Sequence, residues 1–337
     1  VASALRGAGV EVVERHVPVW EGARDWQAGP GTAARIGLAE LRLARRVPVD
    51  VDAMLVGYPG QPDMPAARRA ARGRPVVFDA LVSLHETFVE DRRRFRPGSL
   101  AARALLALDR AALRGADLVV ADTQANAEFL AALAGLPLER VEVCLVGAED
   151  RLFRAGWSPA EPWTCLFVGK LIPLHGLETI LAAARLAPEL PFRLVGSGQL
   201  EALLADRPAN VDWVPWVEYD RLPDELHRAG CALGVFGRSP KAARVIPNKA
   251  YQALACGTPL VTADTPGARE LLTDGESALL VPPADPEALV AALRRLRDDP
   301  AFAARVAAGG RAVYEERASE AVLGAHWRAL FERLCSG

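Results

Sequence analysis

The residues best placed to do chemistry are two lysines, a histidine and a glutamine, all in the second half of the chain. The run Cys165-Leu166-Phe167-Val168-Gly169-Lys170-Leu171-Ile172-Pro173-Leu174-His175-Gly176-Leu177 reads as a strand, a tight turn and the start of a helix. Lys170 leaves the carboxyl end of that strand and His175-Gly176 precedes the helix. A pyrophosphate needs cationic side chains and free backbone N–H groups together, and this layout supplies both. Read alone, the segment equally describes a surface lysine and a histidine at a helix start. A second turn, Gly196-Ser197-Gly198, follows the strand Phe192–Val195 and would let a ligand approach the backbone, though it is also simply a good turn.

The richest stretch is Val245-Ile246-Pro247-Asn248-Lys249-Ala250-Tyr251-Gln252-Ala253-Leu254-Ala255-Cys256-Gly257-Thr258-Pro259. Pro247 suits a first helical turn and Gly257 a helix end. Lys249 and Gln252, three apart, share a face near the helix start, where unpaired N–H groups and the positive dipole end attract anions. Val217, after the strand Val211–Val214, joins this donor-side set. In the first half, Phe78-Asp79-Ala80-Leu81-Val82-Ser83-Leu84-His85-Glu86 follows a strand directly. Asp79 ends that strand, and either Asp79 or His85 could meet a substrate. Each could instead cap a turn or a helix.

Those residues need a scaffold. Apolar strand-like runs alternate with amphipathic helical stretches, the pattern of parallel sheets with crossover helices. Strands are expected at 53–56, 76–78, 118–121 and 141–146, then at 164–168, 192–195, 211–214, 231–236, 260–262 and 278–281. Helices are expected at Ser99–Arg114, after the cap Thr123, at Pro286–Arg297 and at Ser319–Leu334. Arg151–Trp163, with Gly156, Pro159 and Pro162, has linker composition. A short helical stretch opens the chain and Val10–Val17 reads as a strand. Because such domains normally begin with a strand and loop, either the chain starts inside a longer protein, the favoured reading, or the fold lacks its first element. The expected division is an N-terminal domain over 1–155, a C-terminal domain over 156–315 and a helix over 316–337 packing back on the first.

Bulk properties exclude several classes. The 337 residues carry a net charge of -2, are 51% hydrophobic and 24% charged, and offer no overall attraction for nucleic acid. Cys144, Cys165, Cys231, Cys256 and Cys335 are dispersed in apolar surroundings and read as small buried hydrophobes, without disulfide or zinc spacing. No apolar run reaches the ~18–20 residues of a membrane helix, and no export signal is visible, so a cytoplasmic protein is expected. Asp91-Arg92-Arg93-Arg94-Phe95-Arg96 could rest on anionic headgroups at the inner membrane face, although a solvated face is the ordinary reading.

Taken together, Phe167–Lys170, Gly196–Gly198, Pro247–Lys249, Ala255–Pro259, Gly267-Ala268-Arg269-Glu270 and Leu280-Val281-Pro282 with Asp285 resemble the donor-binding half of retaining glycosyltransferase family 4, or glycosyltransferase group 1. The first half fits more loosely, through Asp117–Thr123 and Val143–Phe153. The resemblance implies a GT-B fold, two facing Rossmann-like domains with a cleft between them. It implies transfer of a sugar from a nucleotide diphosphate sugar, with retention, to a glycan, lipid-linked or small-molecule acceptor. No metal or other cofactor is expected, since no DxD pair stands on a loop. Lys170 and Lys249 would stabilise the leaving diphosphate, with His175 where the family usually has lysine. Glu270, near a helix start, would hold sugar hydroxyls, and Asp79 or His85 would contact the transferred sugar. The family's paired glutamates, eight positions apart, fall on Arg244 and Gln252. A glutamine can still accept from a ribose hydroxyl, whereas Arg244 cannot. The Pro247-Asn248-Lys249 form resembles a subgroup that uses these residues instead. The alternatives are a binding or scaffold subunit without catalysis and a nucleotide-sugar epimerase.

Overall fold

The computed structural model describes residues 1–17, 30–45 and 50–336. Contacts divide the chain into an N-terminal unit of residues 2, 4–144 and 325–337, and a C-terminal unit of residues 1, 3 and 145–324.

The N-terminal unit contains, in order, α1 (Ala2–Gly7), α2 (Pro30–Arg45), β1 (Met54–Val56), α3 (Met64–Ala71), β2 (Val76–Asp79), α4 (Leu100–Gly115), β3 (Leu118–Ala121), α5 (Gln124–Ala134) and β4 (Val141–Val143). The strands pair in parallel in the order β1-β2-β3-β4. Val76, Val77 and Phe78 of β2 and all of β3 are buried, as a parallel strand covered on both faces requires. Ser99 caps α4 by accepting from the N–H of Ala102, and Thr123 caps α5 by accepting from that of Asn126. A π-helical turn, Glu86–Asp91, follows β2.

The strand expected at Val10–Val17 does not form. Its residues are mostly exposed, Arg6 pairs with Glu14 at 2.6 Å, and among the described residues no segment offers it a ladder. The expectation weighed side-chain pattern alone, and a strand also needs a backbone partner.

The C-terminal unit contains β5 (Cys165–Val168), α6 (Leu177–Leu186), β6 (Phe192–Val195), β7 (Val211–Val214), α7 (Leu222–Arg228), β8 (Cys231–Leu233), α8 (Pro240–Arg244), α9 (Asn248–Cys256), β9 (Leu260–Ala263), α10 (Pro266–Arg269), β10 (Leu279–Val281), α11 (Pro286–Asp298) and α12 (Pro300–Arg317). The final helix, α13 (Glu320–Ser336), is shared, its residues from Ala325 onward counting with the N-terminal unit. There Arg333 donates to Glu142 at 2.8 Å. The six strands are parallel in the order β10-β9-β8-β5-β6-β7. Alternate residues of β5 feed two cores: Cys165 and Phe167 pack with α6 and α11, Leu166 with α7 and α9.

Strand order reverses at β5, with β6 and β7 added on one side and β8, β9 and β10 on the other. The crevice at the carboxyl ends of β5 and β8 is therefore the topological switch point, where open α/β sheets bind ligands. The strand expected through Phe236 stops at Leu233, because the Val235 N–H donates to the Thr262 hydroxyl at 3.1 Å instead of to a strand carbonyl. Arg151–Trp163 is laid onto this unit: the N–H groups of Gly156, Ser158 and Ala160 donate to carbonyls of Cys256, His227 and Arg228. Cys335 departs from the buried-cysteine expectation; it is exposed near the end of α13, while the other four are buried.

Candidate functional site

The switch-point crevice is built around Phe167, the third residue of β5, which is completely buried. The Lys249 ammonium lies 3.7 Å from the centre of its ring, and the His175 ring meets it edge-on at 5.6 Å. Lys249 reaches this place from the first turn of α9 and is only 9% exposed. Among the described residues its Nζ has no hydrogen-bond partner. Burial pushes the Lys249 amine well below the ordinary lysine range.

Gly169 makes room for this convergence. A Cβ there would stand 2.8 Å from Lys249 Nζ and 3.3 Å from His175 Cε1, and its φ of +149° is one that side-chain-bearing residues rarely adopt. Gly196 and Gly198 press the loop after β6 against the loop after β5. A Cβ on Gly196 would overlap the Gly169 carbonyl, and one on Gly198 would meet the Leu171 carbonyl at 2.8 Å. These glycines thus hold the Lys170 turn in place.

Lys170 is exposed at the carboxyl end of β5. Its carbonyl accepts from His175 Nδ1. His175 is 8% exposed in the short 3₁₀ turn Pro173–His175. A carbonyl can only accept, so Nδ1 carries the proton and the neutral ring presents Nε2 as a lone pair. In the neutral ring the one N–H is committed to that carbonyl, so only the imidazolium can donate from Nε2.

Pro247 precedes α9 as its N-cap rather than occupying the first turn, and its ring offers no side-chain acceptor to the leading N–H groups. Exposed Asn248 opens the helix, so those N–H groups and the dipole face outward beside Lys249. Gly257, in the left-handed conformation, ends the helix as expected.

Gln252, half-buried one turn beyond Lys249, is held by a residue that the sequence reading missed. The Tyr219 hydroxyl, just after Val217, hydrogen-bonds to both Gln252 and Glu149. Phe153 meets the Tyr219 ring edge-on at 5.6 Å. Burial, together with the Glu149 charge, raises the Tyr219 phenol above its ordinary value. A carboxylate only accepts, so Tyr219 donates to Glu149 and its oxygen takes an N–H from the Gln252 amide. The Gln252 carbonyl oxygen is therefore left as the acceptor. No spacing rule in the sequence linked Glu149, Tyr219 and Gln252, which lie on a loop, a turn and a helix.

One further residue is placed otherwise than expected. Glu270 does not stand near a helix start; Thr265 caps α10 and Glu270 follows its end, with its carbonyl accepting from Arg317 at 2.6 Å. Arg244 ends α8, and its backbone packs on Gly267, where a Cβ would lie 2.5 Å from the Arg244 carbonyl. Val217 packs against the core that contains Tyr251 and Leu254.

Asp79 and His85 belong to the N-terminal unit. Asp79 ends β2, and burial raises its carboxyl to about 6. His85 lies 3.5 Å from Glu90. Of the basic run, Arg92 stacks on Phe88 at 5.7 Å, while Arg93, Arg94 and Arg96 are exposed. No described helix is long and apolar enough to cross a membrane.

Residues 162–299 match the family model described as Glycosyl transferases group 1. A D-inositol 3-phosphate glycosyltransferase of Acidothermus cellulolyticus is 33% identical over 250 residues, 65% of this chain and 54% of that protein. D-inositol 3-phosphate glycosyltransferase 1 of Catenulispora acidiphila is 30% identical over 334 residues, 88% of this chain and 75% of that protein. The chain spans about half the length of the first curated relatives it matches. Among solved structures, sucrose-phosphate synthase from Thermosynechococcus elongatus superposes with a TM-score of 0.73 at 20% identity, covering 92% of this chain and 82% of that one. Anabaena HepE in complex with UDP-glucose gives 0.68 at 18% identity, covering 89% and 82%. The two parallel sheets are those of the GT-B fold.

Proposed function

We propose that this chain, which belongs to the glycosyltransferase group 1 family, transfers a sugar from a nucleoside diphosphate sugar to an acceptor hydroxyl, retaining the anomeric configuration and using no metal. The observation that carries the reading is Lys249, an amine buried over Phe167 at a topological switch point with no hydrogen-bond partner among the described residues. Burying such a group costs stability unless a partner satisfies it. A scaffold that bound no anion would gain nothing from keeping it.

The donor diphosphate lies against Lys249, Lys170 and the leading N–H groups of α9. These cations and the helix dipole supply the positive charge that a divalent metal supplies elsewhere. As the bond between the anomeric carbon and the diphosphate oxygen breaks, the diphosphate keeps the bonding pair. Charge grows on its oxygens, where Lys249 and Lys170 hold it. The acceptor oxygen attacks the same face, and its proton passes to the departing phosphate oxygen. Gln252 accepts from a ribose hydroxyl through the oxygen that Tyr219 leaves unoccupied, which restores an acceptor where the family has a carboxylate. Asp79 or His85, from the N-terminal unit, contacts the transferred sugar, and Glu270 holds donor sugar hydroxyls.

The curated relatives act, by their names, on an inositol phosphate, which makes polyol phosphates the first acceptors to try. The protein is incubated with UDP-, GDP- or ADP-hexoses and a polyol phosphate panel, with and without chelator, and products are read by proton NMR of the anomeric signal. The expected product has the donor's anomeric configuration and forms equally in chelator. An inverted product, or turnover lost to chelator, contradicts the mechanism.

A further inference from the structure

Asp109, near the middle of α4, is 1% exposed, yet it is a carboxylate. Its Oδ1 accepts from the Leu84 N–H at 3.0 Å and from Gln61 Nε2 at 3.3 Å. Its Oδ2 accepts from the Ser83 hydroxyl at 2.7 Å and from the His85 N–H at 2.9 Å. Among the described residues it is held by these neutral donors and makes no ion pair. A buried carboxylate costs several kcal/mol unless its lone pairs are filled, and here every partner but Gln61 lies on the single segment after β2.

That segment is strained and pinned from two helices. Leu81 has a φ of +51°, which a side-chain-bearing residue adopts only when its surroundings compel it. From α5, Asn126 Nδ2 donates to the Leu81 carbonyl at 2.9 Å and to Asp122 at 2.7 Å. From α4, Asp109 takes the N–H groups of Leu84 and His85, while Ser83 takes that of Glu86 at 3.0 Å. A π-helical turn follows at once, a form that concentrates at functional sites. This over-determined segment carries His85 and begins directly after Asp79.

We propose that Asp109 is a positioning residue that fixes the backbone of Ser83–Glu86 and so sets where His85 stands. The proposal rests on the reading that His85 contacts the transferred sugar. Asp109 itself has no route to substrate; it acts by holding the N–H groups of Leu84 and His85 and the hydroxyl of Ser83.

Asp109→Asn keeps the size of the side chain but replaces one of two acceptor oxygens with an NH2 group, which faces donors whichever way it turns. The expected result is a loss in kcat of roughly 100-fold, the scale of a small displacement of a reacting group. The donor KM and the UDP-induced rise in melting temperature should change by less than about 2-fold, because they depend on the other unit. Ser83→Ala, which removes one donor and leaves both backbone contacts, should fall between wild type and Asp109→Asn and stands in if the latter does not fold. A lowered melting temperature with unchanged kcat at permissive temperature in these variants overturns the proposal. A second readout needs no turnover: the Cε1 proton resonance of His85, identified among the five histidines through His85→Gln, should move in Asp109→Asn while the others stay. An unmoved His85 resonance overturns the positioning role, whereas absence of transfer by the wild type refutes only the functional reading.

Discussion

The Lys249 ammonium sits 3.7 Å from the centre of the Phe167 ring and makes no hydrogen bond among the described residues. The ring face offers some attraction to a cation, but less than water would. Burial has therefore moved the amine toward its neutral form. An incoming diphosphate reverses that balance by favouring the ammonium.

Proton uptake follows from this relationship. The Lys249 pKa is depressed in the unliganded protein and raised on binding, so binding draws a proton from solution and weakens as pH rises. Calorimetric titration with UDP at about pH 8, in two buffers of different ionisation enthalpy, measures that proton. Wild type should take up more than Lys249→Met. Equal uptake by the two proteins would remove Lys249 from the diphosphate site.

Gly169→Ala tests the space that the lysine and histidine share. The new methyl group would stand 2.8 Å from Lys249 Nζ at a backbone angle suited to glycine. The variant should lose roughly 1–3 kcal/mol of stability and bind UDP at least about 10-fold more weakly. Unaltered affinity would mean that the pair plays no part in binding.

Tyr219→Phe removes the hydroxyl that orients the Gln252 amide. With the orientation lost, the donor KM should rise about 5- to 10-fold, the worth of one hydrogen bond, with kcat little changed. Because Tyr219 is 43% exposed and keeps its ring in the variant, the melting temperature should move little. A fall in kcat at constant KM would instead place Tyr219 in the chemical step.

Asp79 gives the N-terminal unit a dependence on pH. Its carboxyl is raised to about 6 by burial, so the folded state holds that proton more tightly than the unfolded chain. The associated stability is complete below about pH 4 and is lost as pH rises through about 6. Urea melts should therefore show wild type losing ground to Asp79→Asn between about pH 4 and pH 7. A constant difference across that window would contradict the perturbed carboxyl.

Much of the scaffold was legible because parallel strands buried on both faces are written as short apolar runs; β3, β6 and β7 begin and end where those runs do. Helix starts were equally plain where a side chain performs the capping, as at Ser99 and Thr123. The errors arose where a distant partner decides the outcome. Val10–Val17 has a strand's composition but no ladder, and Val235 leaves its strand for the Thr262 hydroxyl. Within the site, Lys170, His175 and Lys249 stood out by type and position, but the commitment of the His175 N–H to a carbonyl did not. Asp109 was invisible for the same reason: a single acid among the arginines and leucines of α4 looks solvated until its four donors, from two other segments, are in place.

The central claim is that Lys249 is kept buried at a cost to the fold in order to meet a diphosphate, and Lys249→Met tests it directly. Thermal unfolding is followed with and without saturating UDP. Methionine fills the same space without an unsatisfied amine, so the unliganded variant should gain about 1–3 kcal/mol, a rise of several degrees, while the UDP-induced shift disappears. A variant that melts below wild type and still responds fully to UDP would show that Lys249 serves the fold and not the ligand.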